Sequence, residues 1–266
     1  MAPVDLSQLR LNRVSCDPHE LPSDPEDEDM DAYWDREADE IYIRPYRVDI
    51  CGPRNEVVGN IRLFLIERDE MVDEAEHDFV AVLDDHSREL SDFASTLFSR
   101  KGKIKRDVVS RGRGVWGREL DRDSKVAYLD TIRIKKEHRS QGIGKWAINQ
   151  LLRDCDVYLD NAQFLYALPA SLWSDVPELD QRANQETPEQ LDAASERVVS
   201  FFRKVGFRRL GTTPYFCCAR SPSHLSHRLP VQMDADEVAE PDPFASLDPL
   251  VRRAMTILQR QNRDFF

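Results

Sequence analysis

Glycine is scarce in this chain: ten in 266 residues, two of them, Gly142 and Gly144, separated by a single residue. A chain so poor in the residue that tolerates any φ tends to place it where backbone turns tightly or approaches a ligand. Cysteine is scarce too. Cys16, Cys51, Cys155, Cys217 and Cys218 form no Cys-x-x-Cys pair, and no zinc-ligand spacing arises with the histidines. An odd count without such pairs is the usage of a reducing compartment, and no metal is expected. No apolar run approaches a membrane span, so no membrane partner is expected. Residues 1–16 lack the apolar stretch of a secretory signal. A cytoplasmic location is the expectation, with the nucleus also open.

Charge is plentiful but uneven. Of the net charge of −12, residues 17–40 carry eleven units, which leaves the remaining chain close to neutral. With Pro18, Pro22 and Pro25 interspersed, this stretch cannot bury enough apolar surface to offset the cost of ordering. Residues 1–40 are therefore read as an acidic, disordered N-terminal segment, 41–220 as the folded domain, and 221–266 as a linker and short C-terminal helix carrying Leu250, Met255, Ile257 and Leu258. Residues 100–122 hold nine Lys/Arg against three acids, with Trp116 among glycines. A phosphate-tracking patch with a stacking ring is one reading. Two strands with solvated outer faces and an inward Trp116 is the preferred one, and nucleic acid is a disfavoured partner.

Apolar periodicity gives an element order. Strands are expected at 42–50 and 57–66, parted by the Gly52-Pro53 turn signal. Residues 79–83 read either as a short strand or as the lead into a helix. Leu90, Phe93, Ala94, Leu97 and Phe98 show helical spacing, with Ser87 as N-cap and Gly102 past the end. Residues 103–109 and 115–120 read as strands joined by the turn 111–114. In 126–134 the even positions alternate with Ala127, Leu129, Thr131 and Arg133 at the two-residue period of a strand. A helix over 145–155 follows, with Ile143, Ala147, Ile148, Leu151, Leu152 and Cys155 on one face. After a strand at 163–168, Thr187-Pro-Glu-Gln190 has the form of a capping box opening a helix to Gly206. A closing hairpin occupies 207–210 and 215–219. The order predicts an α/β (α+β) fold, a mixed, mostly antiparallel central sheet flanked by helices.

Between the central strand and its helix lies Arg139-Ser140-Gln141-Gly142-Ile143-Gly144. A helix starting there aims unpaired N–H groups and its positive dipole end at one point, where anions bind well. Glycine spacing of this kind also occurs in ordinary strand-to-helix turns. The run 129–145, however, resembles the acetyl-CoA-binding motif Arg/Gln-x-x-Gly-x-Gly/Ala of the GNAT acyltransferase superfamily. Val198-Val-Ser-Phe-Phe-Arg-Lys-Val-Gly-Phe-Arg208 resembles its second signature, a helix ending in Lys-x-Gly-Phe before a strand. The two occur in the right order with a strand between them. The resemblance spans roughly 41–220 and implies a GNAT arrangement with an extra N-terminal hairpin and an insertion at 170–186.

The resemblance implies an acetyl-CoA-dependent N-acetyltransferase acting on an amine acceptor by direct attack in a ternary complex. It implies that acetyl-CoA, as co-substrate, rests its pyrophosphate on the amides of Ser140, Gln141, Gly142, Ile143, Gly144 and Lys145, assisted by Arg139. Main-chain groups of Ile132, Arg133 and Ile134 would pair with the pantetheine arm. Asp130 is the candidate for deprotonating the amine; pairing with a neighbouring Arg, or capping a bulge, explains the same residue. The Tyr that the superfamily commonly carries as general acid is replaced by Phe202, which has no proton to donate, and the usual cofactor-contacting Asn by Ser195. Tyr166 and Tyr215 are the candidate substitutes, though a tyrosine so placed is more often an ordinary half-buried aromatic. An acyl-CoA-binding protein without efficient chemistry is the alternative function. The acceptor pocket is expected from 84–98, the insertion and the closing hairpin. Asp84-Asp85-His86 reads either as an amine-binding cluster or as helix capping.

Overall fold

The computed structural model describes residues 4–14, 42–170 and 188–238. Most of the acidic segment, the insertion beyond Ala170, the capping residue Thr187 and the C-terminal helix expected near 250–258 lie outside the described residues. The chain divides into two units, Met1–Asp236 and Glu237–Phe266, and the elements below belong to the first. They run β1 (Arg10–Val14), β2 (Ile43–Cys51), β3 (Val57–Ile66), α1 (Phe79–His86), α2 (Arg88–Leu97), α3 (Arg106–Ser110), β4 (Val126–Ile134), α4 (Ile143–Arg153), α5 (Cys155–Tyr158), β5 (Phe164–Ala167), α6 (Pro188–Val205), β6 (Arg208–Arg209), β7 (Phe216–Ala219) and α7 (Leu225–Arg228). The seven strands form one sheet in the order β1-β2-β3-β4-β5-β7-β6. Every pairing is antiparallel except that of β4 with β5. No helix among the described residues is long and apolar enough to cross a membrane.

Helices cover both faces of the sheet. On one, Ala127, Leu129 and Leu165 pack with Ile143, Ala147, Ile148 and Leu151 of α4 and with Phe202 and Val205 of α6. On the other, Val126, Tyr128 and Tyr166 pack with Phe79 and Leu83 of α1 and with Leu90, Phe93, Ala94 and Leu97 of α2. The alternation along β4 reverses partway. Arg62 pairs with Thr131 but Leu63 pairs with Leu129, so Asp130 is the extra residue of a β-bulge. Val126 and Tyr128 therefore face α2, whereas Ile132 and Ile134 pack on the α4 side. The unbroken two-residue period expected for this strand is corrected by that single unpaired residue.

Capping settles the ambiguous stretch at 79–83. The Asp78 carboxylate accepts from the amides of Val80 and Ala81, which starts a helix there. Ser87 then ends α1 and caps α2, its hydroxyl accepting from Leu90 N at 3.1 Å.

Residues 103–109 and 115–120 are not strands. Ile104 makes an isolated bridge to Phe98, α3 follows, and Arg118–Asp121 forms a 3-10 turn. Side chains replace the ladder here. Arg68, 1% exposed, donates to the carbonyls of Gly102, Leu120 and Asp121, and the Asp121 carboxylate accepts from Ile104 N. Trp116 is buried and donates to Arg209 O. Ile104 and Val108 are both buried, and a spacing of four residues fits one face of a strand as well as a helical turn, so the pattern does not separate the two.

Two stretches assigned to flanking segments by composition carry structure. Within 4–14, a 3-10 turn (Leu6–Gln8) precedes β1, which lies on the edge of the sheet beside β2. Within 221–236, α7 and a second 3-10 turn (Val231–Met233) lead to Asp234, whose carboxylate pairs with Arg203 at 2.8 Å and accepts from Arg209 N.

Replacing Arg68 with Leu keeps the volume but strands three carbonyl acceptors. The expected loss is about 3 kcal/mol or more, by the usual cost of unsatisfied buried polar groups. Urea unfolding of the two chains, compared at equal slope, measures it.

Candidate active site

The sheet opens where β5 ends. Parallel pairing holds Ala127, Tyr128 and Leu129 of β4 against Leu165, Tyr166 and Ala167. Beyond Leu129 that edge of β4 has no strand neighbour among the described residues, while its other edge stays paired with β3 as far as Ile134. Ile132, Arg133 and Ile134 thus lie on a strand edge that can accept an extended ligand arm.

The turn that follows is built to present amides. Arg139 folds back so that its Nε donates to Ile134 O at 2.8 Å, tying the turn to the end of the strand. Ser140 and Gly142 both have left-handed backbone, at φ 61° and 81°. Left-handed residues placed this way gather successive N–H groups into a concavity suited to an anion. Gly142 is the N-cap of α4 and no side chain caps the helix. The first backbone bond of α4 runs from Trp146 N to Gly142 O, so the amides of Ile143, Gly144 and Lys145 precede the regular ladder.

The two glycines do different work. Gly142 supplies the left-handed φ, and a Cβ there would stand 3.8 Å from Leu6, an ordinary contact. At Gly144 a Cβ would sit 3.1 Å from the ring of Phe201, so α6 packs directly on the first turn of α4. The N-terminal residues also reach this turn: Val4 N donates to Gln141 Oε1 at 2.7 Å.

At the bulge, Asp130 Oδ2 accepts from Arg62 Nε at 2.9 Å and from Thr131 Oγ1 at 3.0 Å. The ion pair and the bulge are the alternatives that the sequence leaves open for this residue, and both are present. Beside it is Glu89, in the first turn of α2, whose Oε1 accepts from Tyr128 OH at 2.6 Å. Surrounding protein and the neighbouring Asp130 charge push the Glu89 carboxyl up to about 7. Glu89 is nonetheless exposed to solvent.

Sequence reasoning missed Glu89. An acid in the first turn of an amphipathic helix reads as a complement to the dipole. What brings it to Asp130 is the packing of Phe93, on the same helix, against Tyr128, with ring centroids 4.6 Å apart.

Of the other sequence candidates, Tyr215 lies near Glu89 and the rest are dispersed. Tyr166 is fully buried among Phe93 and Phe98, and burial holds its phenol well above its ordinary value. Tyr215 packs on Phe93 at 5.4 Å, and burial raises its phenol too. Ser195 is exposed on α6. Phe202 turns into the core against Phe207, and it is the adjacent Phe201 that meets the first turn of α4 at Gly144. One helical position rotates a side chain by about 100°, which separates the two rings. Asp84 accepts a hydrogen bond from Ser91. His86 packs edge-on to Phe64, and burial lowers it to about 4, which leaves it neutral at pH 7. Among the described residues no group of three His, Cys, Asp or Glu is placed to hold a metal ion.

No curated protein matches the chain. A solved structure similar to it is spermidine/spermine N-acetyltransferase SpeG from Vibrio cholerae, crystallised with manganese ions. That match has 13% identity and a TM-score of 0.34, and covers 82% of this chain and 95% of that one. The family model for the acetyltransferase (GNAT) family matches residues 94–167, from α2 through the bulged strand and the turn before α4 to the end of β5. The matched stretch takes in the motif from Arg139 to Gly144.

Proposed function

We propose that the protein is an acetyl-CoA-dependent N-acetyltransferase that acylates a primary amine by direct attack within a ternary complex. The observation that carries this reading is the join of an open strand edge, Ile132 to Ile134, to the amide concavity of 140–145. The edge suits the amide-bearing pantetheine arm of the coenzyme, and the concavity suits its pyrophosphate, with the exposed Lys145 beside it. Arg139, held at the junction by Ile134 O, adds the charge-assisted donors of a guanidinium. Ser195 lies on the outer surface of α6, where it serves the coenzyme as a rim contact, while Phe202 supports the site from the core.

Asp130 supplies a fixed negative charge where the strands part, a suitable place for an amine that arrives as a cation. Tyr166 and Tyr215 contribute shape more than protons. A phenol raised by burial is a weaker acid, so the departing thiolate takes its proton from the amine or from water.

The alternative, an acyl-CoA-binding protein without efficient chemistry, is favoured by one observation: Phe202 stands where the superfamily commonly has its acid, and its ring is enclosed. Calorimetric titration with acetyl-CoA, followed by thiol release with a panel of primary amines, separates the two. Binding together with thiol release is the expected outcome; binding without release for any amine selects the alternative.

Gly142→Glu is expected to abolish acetyl-CoA binding, because it sets a carboxylate on the phosphate site. The left-handed φ also penalises any side chain there, so Gly142→Asn, which tolerates that φ and adds no charge, is the control. It should bind more weakly than the native chain but far better than the Glu variant. Equal affinities for all three chains would remove the phosphate assignment.

A further inference from the structure

We propose that Glu89 is the catalytic group that accepts the proton of the incoming ammonium, with Asp130 as the fixed charge that holds the cation beside it. This rests on the transferase reading above and assigns the proton chemistry within it.

The division of labour follows from the hydrogen bonds. Asp130 Oδ2 is engaged by two donors, Arg62 Nε and Thr131 Oγ1, and its side chain is only 9% exposed. Glu89 receives the Tyr128 hydroxyl on Oε1, lies within hydrogen-bonding reach of Asp130, and remains open to solvent. A group that takes a proton from an arriving ligand and returns it to water each cycle must be reachable from solvent. Glu89 is, and Asp130 is largely covered. The position is also suitable, since α2 sets Glu89 against the bulge where β4 and β5 part.

The charged and titratable groups facing Glu89 come from several elements: Asp130 and Tyr128 of β4, Arg62 of β3, and Tyr215 before β7, itself beside Asp92 of α2. Two carboxyls, Glu89 and Asp130, against one guanidinium favour an acceptor that arrives as an ammonium ion. Burial and the Asp130 charge raise the proton affinity of Glu89, and the Tyr128 hydrogen bond and Arg62 oppose them. The outcome lies near neutrality, where a general base works best.

The step balances as follows. Glu89 takes one proton from R–NH3+, leaving the free amine. The amine nitrogen forms the C–N bond, the thioester C–S bond breaks, and the second nitrogen proton leaves with the thiolate as coenzyme A thiol. Glu89 then releases its proton to water.

The test uses the full chain with acetyl-CoA and three probe amines: ethanolamine, 1,4-diaminobutane and lysine methyl ester. For the native chain, kcat/KM for the amine should rise with pH through a limb near 7. Glu89→Gln should lower kcat/KM at pH 8 by about 100-fold, the lower range for general-base catalysis, and should lose the limb. Its acetyl-CoA affinity should stay within about twofold and its far-ultraviolet circular dichroism unchanged. Tyr128→Phe removes a hydrogen bond that favours ionised Glu89, so its limb should move to higher pH. An active native chain whose Glu89→Gln variant keeps both rate and limb overturns the assignment of Glu89 alone, as does a Tyr128→Phe limb that stays in place. A native chain that binds acetyl-CoA yet releases thiol with none of the amines overturns the transferase reading itself, and Glu89 with it.

Discussion

The architecture turns on one unpaired residue in a strand. Because Asp130 has no partner across the ladder, β4 changes which face it buries halfway along its length. Its first half seals the α2 side with Val126 and Tyr128, and its second half seals the α4 side with Ile132 and Ile134. The pairing with β5 stops at Leu129, beside the bulge. The opening between strands lies at that irregularity, and so does the meeting of Asp130 with Glu89. Local irregularity of this kind is a common way for a sheet to re-aim a side chain at a functional site.

Sequence alone made part of this legible, and the boundary is physical. The central strand, its turn and α4 were readable because alternation, a helix start and a left-handed glycine are local features that the chain spells out within 126–153. The bulge was not, since Asp130 fits an unbroken two-residue period, and only pairing with β3 shows that it is extra. Glu89 was not either, because its significance depends on a helix some forty residues upstream lying against β4. The stretch 103–120 misled for a third reason. Its backbone groups are satisfied by distant side chains, Arg68 above all, and no periodicity records a partner of that kind.

Arginine has a structural part as large as its electrostatic one. Arg68, Arg208 and Arg209 are all buried, and each directs its guanidinium mainly at main-chain carbonyls: Arg68 at the 102–121 loop, Arg208 at Leu229 and Arg203, and Arg209 at Thr213 and Ala235. A planar fork with five donors can gather several carbonyls that no ladder reaches. In this way irregular segments, which sheet geometry would otherwise leave unsatisfied, are fastened to the fold without lengthening any strand.

Phe201 and Gly144 carry a mechanical corollary. With a ring atom 3.1 Å from where a side chain would begin, there is no slack between α6 and the opening turn of α4. Close-packed contacts of this kind transmit displacement rather than absorb it. A side chain at position 144 would have to displace the Phe201 ring or the start of α4, so the seating of α6 on α4 depends on the missing Cβ.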